Sequence, residues 1–170
     1  MIIRKTEIKD IDRITAIFAE ARGTIAKLGI NQWQDGYPTR EIACEDLELS
    51  RSYVCETDGE VLATYVLQEG GDANYDVIED GKWLSGNENR NYLAVHRVAI
   101  AVASRGRGLA SQMIEYALDY ARERGLNSLR IDTHEGNVVM RRMLEKNGFL
   151  ACGVIHLENG DPRVAYERII

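Results

Sequence analysis

The segment Arg105-Gly106-Arg107-Gly108-Leu109-Ala110 has the spacing of an anion site. Apolar and β-branched residues fill 92–100 ahead of it, and from Ser111 onward Met113, Ile114, Ala117, Leu118 and Ala121 recur at helical steps. A strand, a glycine turn and a helix therefore follow one another. Glycines admit positive φ and close backbone approach, while a helix start offers N–H groups at the positive end of its dipole, so a pyrophosphate can be held there. Arg105 and Arg107 bring fixed charge, either onto the phosphate or to a solvated edge. Gly106-x-Gly108-x-x-Ser111 also reads as a dinucleotide fingerprint with Asp132 beyond it. Against that reading, its third position is Ser, Arg105 enters the turn, and only about two β-α units remain for a doubly wound sheet.

Proton chemistry has fewer candidates. His96 lies two residues before Val98, on the same face of the strand, and an imidazole, which titrates near ~6.5 in water, suits proton removal. The plainer alternative is a hydrogen-bonded core histidine. Asp132 and His134, two apart at the end of the next strand, can share a face, with the carboxylate orienting the imidazole, or they can cap the following loop. A metal site from His96, Asp132 and His134 matches no ligand spacing, and no metal is expected. His156 reads as a surface strand residue. Trp33, Asp35 and Tyr37 sit in a segment, 31–38, too aromatic for a mere connector; aromatic walls with a carboxylate hold an amine, whereas Trp33 can equally pack a helix junction.

These residues need a scaffold, and the chain supplies a mixed α/β order. Residues 2–6 read as a strand. Asp10 is expected to cap a helix running to about Lys27 on the face Ile11, Ile14, Ile17 and Phe18, and Thr39 to cap a second, acidic helix. Residues 52–56 and 61–68 form an antiparallel hairpin. Residues 69–91 read as an irregular insertion with a short strand around 75–78. A strand at 129–133, a helix at 138–146, a stop at Asn147-Gly148, a strand from Phe149 and a last strand at 163–169 complete one β-α-β crossover between flanking hairpins.

The 170 residues suit one domain, 1–170, with a core that needs neither disulfide nor structural metal. Hydrophobic residues at 45% and charged residues at 28% match a soluble protein, and no apolar run approaches the ~18 residues of a membrane span. The start carries no signal-peptide pattern, so a cytoplasmic location is expected. Cys44, Cys55 and Cys152 form no C-x-x-C pair and read as buried thiols. A net charge of -6 argues against nucleic acid and mildly favours a cationic acceptor.

Two linked motifs narrow the choice. Arg105-x-x-Gly108-x-Ala110 resembles the acyl-CoA pyrophosphate turn of the GCN5-related N-acetyltransferases (GNAT family). Downstream, Asn137 opens N-x-x-M-x-x-M-L-x-K-x-G-F, ending at Lys146, Gly148 and Phe149, much like that family's second motif. The resemblance covers 92–149, and the flanking elements follow the family's usual order. It implies a single-domain, mostly antiparallel sheet with a splayed central parallel strand pair and about four helices. Acetyl-CoA is the implied donor. Val98, Ala99 and Ile100 would bond its pantetheine arm, residues 105–110 its pyrophosphate with Ser111 close by, and Asn137 the pantetheine side.

The implied reaction is direct acetyl transfer, in a ternary complex, to an amine of a small molecule or protein. The family also includes homodimers. A lysine-like amine is only about one part in a thousand neutral near pH 7.4, a cost of about 4 kcal/mol, so a base or a desolvating pocket is required. His96 also resembles a strand histidine that relays protons in arylalkylamine-acetylating members. Where the family carries a tyrosine acid this chain has Leu144, which leaves water, Tyr166 or the reacting ammonium to protonate the thiolate. A non-catalytic CoA-binding regulatory or partner module is the alternative that Leu144 motivates.

Overall fold

Apolar residues at three- and four-residue steps draw α1 (Ile11–Ala26) into a helix that buries Ile11, Ile14, Ile17, Phe18, Ala21 and Ile25. Each large side chain so buried contributes about 1.5–3 kcal/mol. The computed structural model describes residues 1–170, and contacts divide them into two compact units, Met1–Leu67 with His96–Met113 and Gln68–Val95 with Ile114–Ile170. Seven strands form one mixed sheet, in the order β1-β2-β3-β4-β5-β7-β6. They are β1 (Ile2–Lys5), β2 (Ser52–Thr57), β3 (Glu60–Gln68), β4 (Tyr92–Ile100), β5 (Ser128–Thr133), β6 (Leu150–His156) and β7 (Pro162–Ile169). The helices are α1, α2 (Arg40–Glu48), α3 (Leu109–Glu123) and α4 (Val138–Lys146).

In the first unit β1 and β2 pair antiparallel, as do β2 and β3 across the turn Asp58-Gly59, with a register shift at Cys55/Glu56. The face of α1 packs with Ala43, Val54, Val61, Ala99 and Ala101. Thr39 caps α2 as expected, its Oγ1 accepting from the Ile42 N–H at 3.3 Å. Asp10 does not cap α1. It ends a 3-10 turn (Ile8–Asp10) in an already helical conformation, and its carboxylate accepts from the Glu7 N–H at 2.8 Å and from Arg4 at 2.7 and 3.0 Å. Two bonds from Arg4 and one from the Glu7 N–H take up the carboxylate that a side-chain cap bond would need.

In the second unit Tyr92, Leu93 and Ala94 of β4 pair in parallel with Ser128, Leu129 and Arg130 of β5, and α3 makes the crossover. β5 and β6 each pair antiparallel with β7. The strand expected around 75–78 is absent. Ala73–Tyr75 is a 3-10 turn instead, and Glu79 makes one isolated bridge to Val154. The reason is packing: Tyr75 and Trp83 both enter a core with Tyr92, Ala94 and Ile155, and the Trp83 indole donates to the Tyr75 carbonyl at 2.9 Å. A strand would carry Val77 to the same face as Tyr75, whereas Val77 is exposed and Tyr75 buried.

Arg130, 1% exposed, stacks on the rings of Trp83 and Tyr92 at 4.2 and 4.1 Å and pairs with buried Glu167 at 3.0 Å. The cysteines are free, two of them buried. No helix is long and apolar enough to cross a membrane.

Candidate active site

The second half of β4 carries His96, Val98, Ala99 and Ile100 within the first unit. Between His96 and Val98 the backbone turns left-handed at Arg97, φ 51, a conformation that an L side chain adopts only under outside constraint. His96 and Val98 are half-buried and Ala99 is buried. The Arg97 guanidinium donates to Asp46 through Nε at 2.7 Å and Nη2 at 2.8 Å, and to the Tyr37 hydroxyl through Nη1 at 2.6 Å. Burial opposes its charge, but Tyr37 and Asp46 outweigh that and raise its pKa above the ordinary value.

Beyond β4 a 3-10 turn (Val102–Ser104) leads into the glycine turn. Gly106 and Gly108 have φ 74 and 78, the left-handed region that glycine enters without strain, and a Cβ built on either meets nothing within 4 Å. The space beside both is open. The helix starts at Leu109, two residues earlier than its apolar spacing suggests, so the amides of Leu109, Ala110 and Ser111 belong to a first turn that has no carbonyl partners inside the helix. Arg105 is held at the edge of the turn: Nη1 donates to Thr24 Oγ1 at 2.8 Å and Nε to the Ile100 carbonyl at 3.3 Å. Glu20 of α1 takes the Val102 N–H at 2.7 Å. The turn is thus clipped to α1 from two sides. Arg107 is exposed.

The aromatic segment also lies in the first unit. Trp33 packs edge-on against Phe18 and Tyr37, with ring centroids 6.1 and 6.2 Å apart, and joins the α1 core while remaining half-buried. It packs the helix junction and borders Tyr37 at once. Asp35 is exposed, and its Oδ1 accepts from the Tyr37 N–H at 3.2 Å.

The second unit holds the other candidates. Asp132 accepts from the Tyr75 hydroxyl at 2.7 Å. Burial and the Asp132 carboxylate push the Tyr75 phenol well up, so it stays protonated and keeps donating. His134 takes the loop-capping geometry: Nδ1 accepts from the Gly136 N–H at 3.0 Å, which places the proton of a neutral ring on Nε2. Asn137 caps α4, its side-chain oxygen accepting from the Met140 N–H at 3.2 Å. Tyr166 is fully buried; its hydroxyl accepts from Arg141 at 3.0 Å and donates to Glu145 at 3.2 Å. Leu144 is fully buried in α4. No group of three His, Cys, Asp or Glu side chains is gathered as a metal ion would require, so the grouping of His96, Asp132 and His134 is not assembled.

Asp46, Glu20, Thr24 and Tyr75 went unmarked by sequence reasoning. Each acts through a partner at least 51 residues away in sequence, and the acidic character of α2 gave no hint of its buried carboxylate.

The chain is thus an α/β fold built on a mixed sheet with one parallel crossover, whose crossover helix opens on a glycine turn. The model of the Acetyltransferase (GNAT) family matches residues 11–149, and the chain belongs to that family. A GNAT acetyltransferase from Streptococcus agalactiae 2603 superposes with TM-score 0.90 at 37% identity, over 99% of this chain and 95% of that one. Two more distant structures share the fold. The ribosomal-protein-alanine N-acetyltransferase of Brucella melitensis has TM-score 0.71 at 19% identity over the full length of both chains. A GNAT acetyltransferase from Listeria monocytogenes 4b F2365 has TM-score 0.73 at 21% identity, over 99% of this chain and 94% of that one. A comparison with curated proteins gave no significant match. Family membership implies an acetyl-CoA donor.

Proposed function

We propose that the chain moves an acetyl group directly from acetyl-CoA to the amine of a small molecule or protein, with both bound at once. The observation that carries this reading is the pair of left-handed glycines, Gly106 and Gly108, opening α3 directly after the strand that bears His96. The open space beside them and the first-turn amides of α3 fit a pyrophosphate. Arg107 is exposed beside the turn and can add charge there, and Arg105, held by Thr24 and the Ile100 carbonyl through Nη1 and Nε, keeps Nη2 and its charge for the same anion. Val98, Ala99 and Ile100 offer backbone groups to the pantetheine arm.

Acetyl-CoA, when bound, supplies the thioester. Trp33, Asp35 and Tyr37 border the acceptor, the aromatic faces and the exposed carboxylate favouring an amine. His96 removes the amine proton as the N–C bond forms. The Val98 N–H, turned by the kink at Arg97, stabilises charge on the carbonyl oxygen. As the C–S bond breaks, the thiolate takes a proton from solvent or, where His96 has not yet taken it, from the ammonium of the tetrahedral intermediate. Tyr166 is a weaker source, because its proton is directed to Glu145. His134 is no ready substitute for His96, because its Nδ1 accepts from the Gly136 N–H and its Nε2 carries the proton, and the Asp132 carboxylate is engaged by Tyr75.

The test is thiol release from acetyl-CoA with a panel of alkylamines, arylalkylamines, polyamines and peptides with free amino termini. At least one class is expected to exceed hydrolysis alone. If none does, the transfer reading falls. Tight acetyl-CoA binding without turnover would then favour a CoA-binding partner module, a reading supported by Leu144 at the family's acid position.

A further inference from the structure

Arg97 is a long charged residue held at positive φ in the middle of a strand, and what holds it is visible. Asp46, 1% exposed on α2, takes two bonds from the guanidinium at 2.7 and 2.8 Å, the two-pronged geometry that fixes orientation as well as charge. Arg51 donates to the same carboxylate at 2.8 Å, so Asp46 is itself anchored. On its other side the guanidinium reaches the Tyr37 hydroxyl at 2.6 Å. An arginine cannot accept, so the proton of Tyr37 points away from it. One buried carboxylate thus fixes both the strand kink and, through one guanidinium, the aromatic loop.

We propose that Asp46 is a positioning residue for acetyl transfer: through Arg97 it holds the kink between His96 and Val98 and latches it to Tyr37 on the acceptor-side loop. The inference rests on the reading of those segments given above and makes them one preorganised assembly. Asp46→Asn keeps the shape and removes the charge. Without the latch, Val98 no longer aims its N–H at a fixed point, and the loop at 31–38 loses its tie to the strand.

The experiment combines amide hydrogen exchange with calorimetric titration of acetyl-CoA and of CoA, on the full chain. In Asp46→Asn, exchange at 31–38 and at 96–99 should accelerate together, by on the order of tenfold. The preference for acetyl-CoA over CoA should fall several-fold, roughly one hydrogen bond's worth, while CoA binds within about twofold of wild type, because the turn at 105–111 is untouched. Tyr37→Phe removes only the outer link, so exchange at 31–38 rises while 96–99 stays protected. This variant loses one hydroxyl and keeps the proposal testable should Asp46→Asn fail to fold. Arg97→Gly takes up positive φ without a clamp, and combined with Asp46→Asn it should restore the preference for acetyl-CoA.

An Asp46→Asn protein with unchanged exchange and unchanged preference overturns the proposal, as does a Tyr37→Phe protein with unchanged exchange at 31–38. If wild type binds neither acetyl-CoA nor CoA, the donor reading fails, and exchange alone decides the latch.

Discussion

His96 is the last residue of β4 before the left-handed kink, half-buried, two positions from the backbone that would face the acetyl carbonyl. Its type and its place on the strand were readable from spacing alone. The neighbours that set its surroundings were not, because Asp46 is 51 residues from Arg97 in sequence and Tyr37 is 60. His96→Ala is expected to lower kcat/KM with the best amine of the panel by about 10²–10⁴-fold near pH 7 and to flatten the profile on its acid side. A base works only when unprotonated, so the wild-type rate rises with pH on the acid side of its profile. Rate measurements from about pH 5.5 to 9 check this, and an unchanged profile in the variant would leave desolvation of the amine as the source of the neutral nucleophile. The partners of Arg105 were equally illegible: its Nη1 meets Thr24 and its Nε the Ile100 carbonyl.

Elements with strong local signals were legible. The helix expected at 138–146 is α4 (Val138–Lys146), capped by Asn137, and α2, the β2–β3 hairpin and the crossover all follow from periodicity, caps and turn residues. The segment 69–91 was not, because tertiary packing rather than alternation shapes it. Gly81 shows how tightly: a Cβ there would lie 1.9 Å from the Cys152 carbonyl oxygen, where the Lys82 N–H also bonds at 2.9 Å. Gly81→Ala forces the segment or β6 to shift and should destabilise the protein by about 1–3 kcal/mol, read as a lower urea midpoint with little change in slope. Wild-type stability in this variant would mean that the segment moves freely over β6. What reads as an insertion is therefore part of the second unit's core, and it delivers Tyr75 to Asp132.

At the scale of the whole molecule, stability is tied to pH through Glu167. Burial raises the cost of its charge, but Ser128, Ser85 and Arg130 donate to the carboxylate and outweigh that, so its pKa is lowered from the ordinary value. A depressed folded pKa contributes stability that is present above the unfolded value, near ~4.3, and is lost as pH falls through the folded one. Glu167→Gln leaves Arg130 buried without its partner. It should cost about 3–5 kcal/mol near neutral pH and show a shallower loss of stability between about pH 5 and 3 than wild type, measured by denaturant unfolding at each pH. An equal acid slope in the two proteins would assign the acid response to other carboxylates.

The sequence by itself determined the order of elements, the glycine turn, the strand bearing His96 and the family motifs, since each rests on residues within one or two turns of one another. Only the tertiary structure decided which donor meets which acceptor: Asp46 with Arg97, Tyr75 with Asp132, Arg105 with Thr24. Those pairings depend on chain closure over dozens of residues, and a buried charge or hydroxyl takes whichever partner the completed fold brings within hydrogen-bond reach.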